Sequence, residues 1–373
     1  MKIKARSIVA LLSYFIIGFA VAYLIFGSNT QKKSLTQQPT GFSANPSYEY
    51  LVGSAAWQMS GEAHALMMQG FNIARTRVDE MVAQADLGTN GYHWEITQGK
   101  PALMKDGKRV AVVCDIDDTL VDGVHYTANI LGQNGEWTNK AFTDFIQSAG
   151  CTALPGSLDF TQYCIDNGIA LFYVTNRYDQ GYKTSESQYG GQQGYKAADG
   201  TIIGSSTYDL FGKTTYHITM ESMKNLGFPI NDTTAPNYSQ DAILIVNDTK
   251  LKGSNKEPVR TLIAQGGRLD TGERQEESQI YPAQIQLDAH HIALLLGDDL
   301  NDISSVFSDP TLNVHSRIEK TMEYQQEWGN RWIVFPNAVY GSSMNYAMKE
   351  GMPQLFKQFD YTNPNTTSWQ LYQ

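Results

Sequence analysis

Five short apolar runs punctuate the chain, and each stops abruptly at a polar residue. Val110–Cys114 stops at Asp115, Ile169–Val174 at Thr175 and Ala242–Val246 at Asn247; Ile292–Leu296 stops at Gly297-Asp298 and Trp332–Phe335 at Pro336-Asn337. Continuous aliphatic runs without alternation predict strands buried on both faces, as in a parallel sheet covered by helices. Asn139–Gly150, Ser157–Gly168, Thr219–Gly227, Lys256–Gly266 and Ser316–Gly329 have helix length and close on Gly, a common helix stop. The expected fold is therefore α/β, a Rossmann-like parallel sheet flanked by helices. Ligands in such sheets sit at the carboxyl ends of the strands, where the polar residues named above fall.

Ahead of the first strand, Leu51, Ala55, Ala56, Met59, Ala63, Leu66 and Met67 recur at helical spacing and predict one or two helices over Tyr48–Ala85. Residues 178–216 break the rhythm: these 39 residues hold seven Gly and six Tyr and show no period. Long loops within compact domains are usually functional or disordered, and this one is read as a cap-like insertion near the mouth of a site.

At the start, Lys2, Lys4 and Arg6 precede an uncharged stretch of twenty residues, Ser7–Phe26, long enough to span a bilayer. The basic start places the remainder outside the cytoplasm, although Lys32 and Lys33 on the far side oppose that bias. Ala20-Val21-Ala22 offers a cleavage box, so a cleaved signal with secretion is the alternative. The apolar run exceeds the roughly 7–15 residues of a signal-peptide core, which favours a single-pass anchor. The expected organisation is a signal-anchor helix over 1–27, a polar linker over 28–46 and a body over 47–373.

A chain of 373 residues with 42% hydrophobic content can bury a sizeable core. A net charge of -10 argues against a nucleic-acid polymer as partner, so an anionic ligand would need a local positive site. Three cysteines exclude a disulfide-stapled scaffold. A Cys151–Cys164 bridge and buried free thiols both stay open.

Candidate chemistry gathers at the predicted strand ends. Asp115 and Asp117 lie two apart, so both can reach one site, and crowded carboxylates repel unless a cation or proton intervenes. Gly297-Asp298-Asp299-Leu300-Asn301-Asp302 supplies further carboxylates. An all-oxygen donor set favours Mg²⁺. Thr175 and Asn176 offer donors for phosphoryl oxygens, and Lys256, opening a predicted helix, adds positive charge. A calcium loop beginning at Asp115 fails because Leu120 stands where that loop needs Gly. Each piece alone is weak; their order and common placement at strand ends carry the reading.

Together these residues resemble the haloacid dehalogenase superfamily of phosphohydrolases, and within it the class C acid phosphatases. The matching motifs are Asp115–Thr119, Phe172–Arg177, Ser254-Asn255-Lys256 and Gly297–Asp302, supported by Ala153–Gly156, Asn225–Pro229, Phe335–Gly341 and the Trp57–Glu62 stretch. Asp118 stands where that group usually has Glu, no lipid-bearing Cys follows the apolar segment, and the insertion is long.

The resemblance implies an Mg²⁺-dependent phosphoric monoester hydrolase with Asp115 as nucleophile and Asp117 as general acid and base. Metal would be held by Asp115, Asp298 and the Asp117 carbonyl with support from Asp302, and phosphate by Thr175, Asn176 and Lys256. Trp137 and Tyr340 are candidates for stacking on a nucleobase, with core packing as the alternative for each. The expected ligand is a small phosphomonoester, such as a nucleoside monophosphate, and a homodimer is left open. Rival readings are a phosphatase for sugar or other small phosphate esters, or a non-catalytic surface binding protein on the same fold.

Overall fold

The computed structural model of the protein describes residues 46–132, 142, 145–146, 150–178, 195–196, 202–203, 215–247, 255–276, 279–343 and 345–346. The predicted anchor, the linker up to residue 45, Trp137 and most of the 178–216 insertion lie outside them. Among the described residues no helix is long and apolar enough to cross a membrane. The described residues from Tyr50 onward form one compact unit.

The helical periodicity resolves into two helices, α1 (Pro46–Gln58) and α2 (Gly61–Leu87). Ser60 separates them by capping α2: its hydroxyl accepts from the Ala63 N–H at 3.2 Å. Ala63, Met67, Gly70, Phe71, Ala74, Val78, Met81 and Ala85 form the buried stripe of α2, the three-and-four spacing of one helix face.

An antiparallel hairpin follows, β1 (Tyr92–Thr97) and β2 (Lys100–Lys105), and runs straight into β3 (Lys108–Cys114). The chain continues through α3 (Val124–Gly132), α4 (Ser157–Asp166), β4 (Ala170–Tyr178), α5 (Thr215–Leu226) and β5 (Ala242–Asn247). After α6 (Glu257–Gln265), a long hairpin of β6 (Gly267–Glu276) and β7 (Gln279–Leu287) precedes β8 (His290–Gly297). The short helix α7 (Leu300–Ile303), α8 (Val314–Glu323) and β9 (Trp332–Val334) complete the described order.

All five apolar runs become neighbouring parallel strands in the order β5-β4-β3-β8-β9. Residues of opposite parity point to opposite faces, and both faces are covered. Val110, Val112 and Cys114 of β3 pack with Phe71 and Val78 of α2 and Phe160 of α4, whereas Ala111 and Val113 pack with Val259 and Ile263 of α6. That double burial is why the runs lack alternation.

The sheet is not purely parallel as expected: β1 and β2 add an antiparallel pair through Met104 opposite Arg109. Both hairpins were missed because their strands are short on continuous apolar runs. All three cysteines are buried free thiols, so no Cys151–Cys164 bridge is present.

Chain order along the sheet reverses at β3: connections run outward to β4 and β5, then return to β8 on the other side. The crevice at the carboxyl ends of β3 and β8 is thus a topological switch point, the place where open α/β sheets bind ligands.

Candidate active site

Asp115 follows the last residue of β3, and its N–H donates to the Leu296 carbonyl of β8 at 2.9 Å. That bond ties the two strand ends together. The chain then turns sharply, with Asp118 in the left-handed region at φ 54°. The turn is braced from within: the Asp118 N–H donates to Val121 O at 2.7 Å, and Gly123 N–H donates to Asp118 Oδ1 at 3.0 Å.

On the β8 side, Gly297 allows the next turn to fold back. A Cβ at that position would lie 2.5 Å from the Asp302 Cβ, so a side chain there would push α7 away. Asp299 and Asp302 form a capping box at the start of α7, with Asp302 Oδ2 accepting from the Asp299 N–H at 3.1 Å. Asp302 is thereby turned toward β3.

Carboxylate oxygens of Asp115, Asp298 and Asp302 come within 4.8 Å of one another. Thr119 Oγ1 lies 3.3 Å from Asp115 Oδ2 and 3.4 Å from Asp298 Oδ1, and Asn337, just beyond β9, donates to Asp298 Oδ2 at 2.6 Å. Lys256 at the α6 N-cap is buried and pairs with both Asp115 and Asp302, the latter at 2.7 Å.

One lysine does not balance three acids, of which Asp115 and Asp302 are buried and Asp298 half-buried. Burial pushes the Asp115 carboxyl up to about 7, with Asp302 and Asp117 adding to the rise against the pull of Lys256. Asp298 is pushed well above the ordinary carboxylate range by burial, then by Asp115 and Asp302. Lys256 itself is raised: burial lowers it, but Asp115 and Asp302 together outweigh that. A largely buried, oxygen-only cluster with excess negative charge is the donor chemistry of a hard divalent cation, so these residues fit one.

Asp117 stands apart. Its carboxylate is gripped by Arg177, with Nη2 at 2.7 Å from Oδ1 and Nε at 3.0 Å from Oδ2, and Thr175 Oγ1 approaches Oδ2 at 3.2 Å. The side chain of Asp117 therefore does not join the acidic trio; the metal contact expected of it is through its backbone carbonyl. Thr175 is buried and Asn176 is exposed at the end of β4. Tyr340 is 40% exposed, yet its hydroxyl hydrogen-bonds to buried Asp118. Burial and neighbouring carboxylates drive the Tyr340 phenol far upward, and Asp118 is raised to about 7, chiefly by burial.

Nothing in the sequence reading gave Arg177, Thr119 or Asn337 a role. Arg177 stood in plain view at the end of a matching motif, one residue past Thr175-Asn176. Only the pairing of β4 beside β3 shows what it touches.

Residues 42–206 match the family model described as HAD superfamily, subfamily IIIB (acid phosphatase). That span contains Asp115, Asp117, Thr175, Asn176 and Arg177 and ends before Lys256 and the 297–302 cluster. Among solved structures, the chain is similar to a class C acid phosphatase from Bacillus anthracis with tungstate bound. The two share 21% identity with a TM-score of 0.52, over 86% of this chain and 95% of the other. A second structure of the class C acid phosphatase from Bacillus anthracis matches at 22% identity and TM-score 0.52, with the same coverage.

Proposed function

We propose that the chain is a phosphatase of the haloacid dehalogenase class C acid phosphatase type, which hydrolyses small phosphate monoesters, nucleoside monophosphates among them, with Mg²⁺ and through an aspartyl-phosphate on Asp115; the motifs, the family match over residues 42–206 and the shared fold support this reading. The observation that carries the reading is the division of labour between the acids. Asp115 sits in the trio with Asp298 and Asp302 around Lys256, while Asp117 is held aside by Arg177.

In the first step an Asp115 oxygen attacks phosphorus in line, and the bond from phosphorus to the leaving oxygen breaks. Asp117 delivers a proton to that oxygen as it departs. In the second step Asp117 takes a proton from water, the water oxygen bonds to phosphorus, and the acyl-phosphate bond breaks to release inorganic phosphate. Thr175, Asn176 and Lys256 neutralise the equatorial oxygens, since positioning and electrostatics dominate phosphoryl transfer. Mg²⁺, held by Asp115, Asp298 and the Asp117 carbonyl with support from Asp302, would supply the positive charge that the phosphoryl group and the trio lack. Tungstate is a tetrahedral oxyanion like phosphate, so its binding to the Bacillus anthracis enzyme supports an oxyanion site in the same fold.

The test is phosphate release from nucleoside monophosphates, sugar phosphates and a nitrophenyl ester. Activity should vanish in chelator-treated protein, return with Mg²⁺ and be inhibited by tungstate in competition with substrate. Full activity after metal stripping would overturn the mechanism.

A further inference from the structure

Arg177 is a buried arginine that holds Asp117 but has been given no role of its own in the reaction. Its Nε reaches both oxygens of Asp117, at 3.2 and 3.0 Å, and Nη2 reaches Oδ1 at 2.7 Å. Its Nη1 reaches Thr219 Oγ1 of α5 at 3.3 Å, and its guanidinium carbon lies 5.8 Å from the Phe142 ring centre. Its backbone N–H donates to Thr175 Oγ1 at 3.1 Å, and that hydroxyl also meets Asp117. The side chain is 3% exposed, against 17% for Asp117.

We infer that Arg177 is the positioning residue for proton transfer, holding the Asp117 carboxylate away from the acidic trio and in place to serve the leaving group. The inference rests on the phosphatase reading and goes beyond it by assigning this residue. Asp117 is only two residues from Asp115, and without a partner its carboxylate could turn toward a cation in the trio. Bound there, it would be lost as a proton carrier. A guanidinium fork fixes both the position and the plane of a carboxylate, which a point charge cannot do. Because the fork is spent on Asp117 and Nη1 faces Thr219, phosphate is left to Thr175, Asn176 and Lys256.

The experiment uses the full-length protein with Mg²⁺ and two substrates, a nitrophenyl phosphate whose leaving group needs little protonation and an alkyl phosphate whose leaving group needs it fully. Arg177→Ala should lose on the order of 10²-fold in kcat on the alkyl ester and at least tenfold less on the nitrophenyl ester, within the range of general acid–base effects. KM should stay within a few-fold, and added guanidinium should restore part of the alkyl rate. Arg177→Lys, which keeps the charge without the fork, should show the same leaving-group dependence while preserving the wild-type melting temperature. Adding Asp117→Asn to Arg177→Ala should cost no more on the alkyl ester than Asp117→Asn alone.

Equal losses on both esters would overturn the inference, whether with raised KM, as for a phosphate ligand, or with KM unchanged, as for a purely structural residue. Additive losses with Asp117→Asn would overturn it too. A wild-type protein that hydrolyses neither ester would instead overturn the phosphatase reading itself.

Discussion

Asp115→Asn and Asp117→Asn should fail in different ways. An amide at 115 keeps the size of the side chain but is no anionic nucleophile, so the phosphorylated enzyme should never form. An amide at 117 leaves the nucleophile in place and removes the proton carrier, a loss of about 10²–10⁴-fold on a nucleotide. On nitrophenyl phosphate that variant should give a burst of phenolate followed by slow turnover, because the second step still lacks its base. A burst from Asp115→Asn in rapid-mixing experiments would reverse the assignments. The trio also makes a stability prediction. Asp115, at about 7, and Asp298 are raised in the folded chain, so without metal their contribution is fully present below about pH 4, the unfolded carboxylate range. It is lost as pH rises through about 7. The melting temperature of metal-free protein should therefore fall over that interval, and Mg²⁺ at about 100 times its Kd should add about 2.7 kcal/mol at pH 7.5. Asp298→Asn should stabilise the metal-free protein at pH 7.5 and weaken the Mg²⁺ response; a calorimetric scan that moved neither would contradict the electrostatic account.

Two glycines separate what the elements do for the site from what they do for the core. Gly297→Ala would set a Cβ against Asp302 at 2.5 Å, forcing α7 and its acid out of place. Mg²⁺ affinity, read by titration of activity, should fall on the order of 10–100-fold, as for other changes in the shell supporting a metal. Gly70→Ala on α2 would set a Cβ 2.7 Å from the Phe335 ring, whose centre also lies 4.5 Å from that of Phe71 in a tilted pair. Overpacking there should destabilise the fold by about 1–3 kcal/mol in urea unfolding, with Mg²⁺ affinity unchanged. If Gly70→Ala impaired metal binding more than Gly297→Ala, the division between packing element and site element would be wrong.

At the scale of the molecule, the basic start and Ser7–Phe26 lead us to propose a single-pass anchor with the catalytic body outside the cytoplasm. Protease added to intact cells should then digest residues beyond 46. Protection of those residues, with a known surface protein cleaved, would sink that topology.

Strand identity was legible in the sequence because burial on both sides of a sheet demands unbroken apolar runs, and all five runs became strands of the central sheet. The placement of the polar groups was legible too, since Asp115 and Thr175 follow their runs directly and Asp298 follows its run after Gly297, which puts all three at strand ends. The hairpins β1–β2 and β6–β7 were not, because short or mixed strands carry no such demand. Only tertiary structure decided how the acids divide. Spacing alone allowed Asp115 and Asp117 to share one site, but pairing β3 with β8 on one side and β4 on the other sends their side chains to different partners. Asp115 meets Asp298 and Asp302, and Asp117 meets Arg177. The contacts that set these roles join residues 60 positions apart for Asp117 and Arg177 and 141 apart for Asp115 and Lys256, distances over which local sequence pattern carries no information.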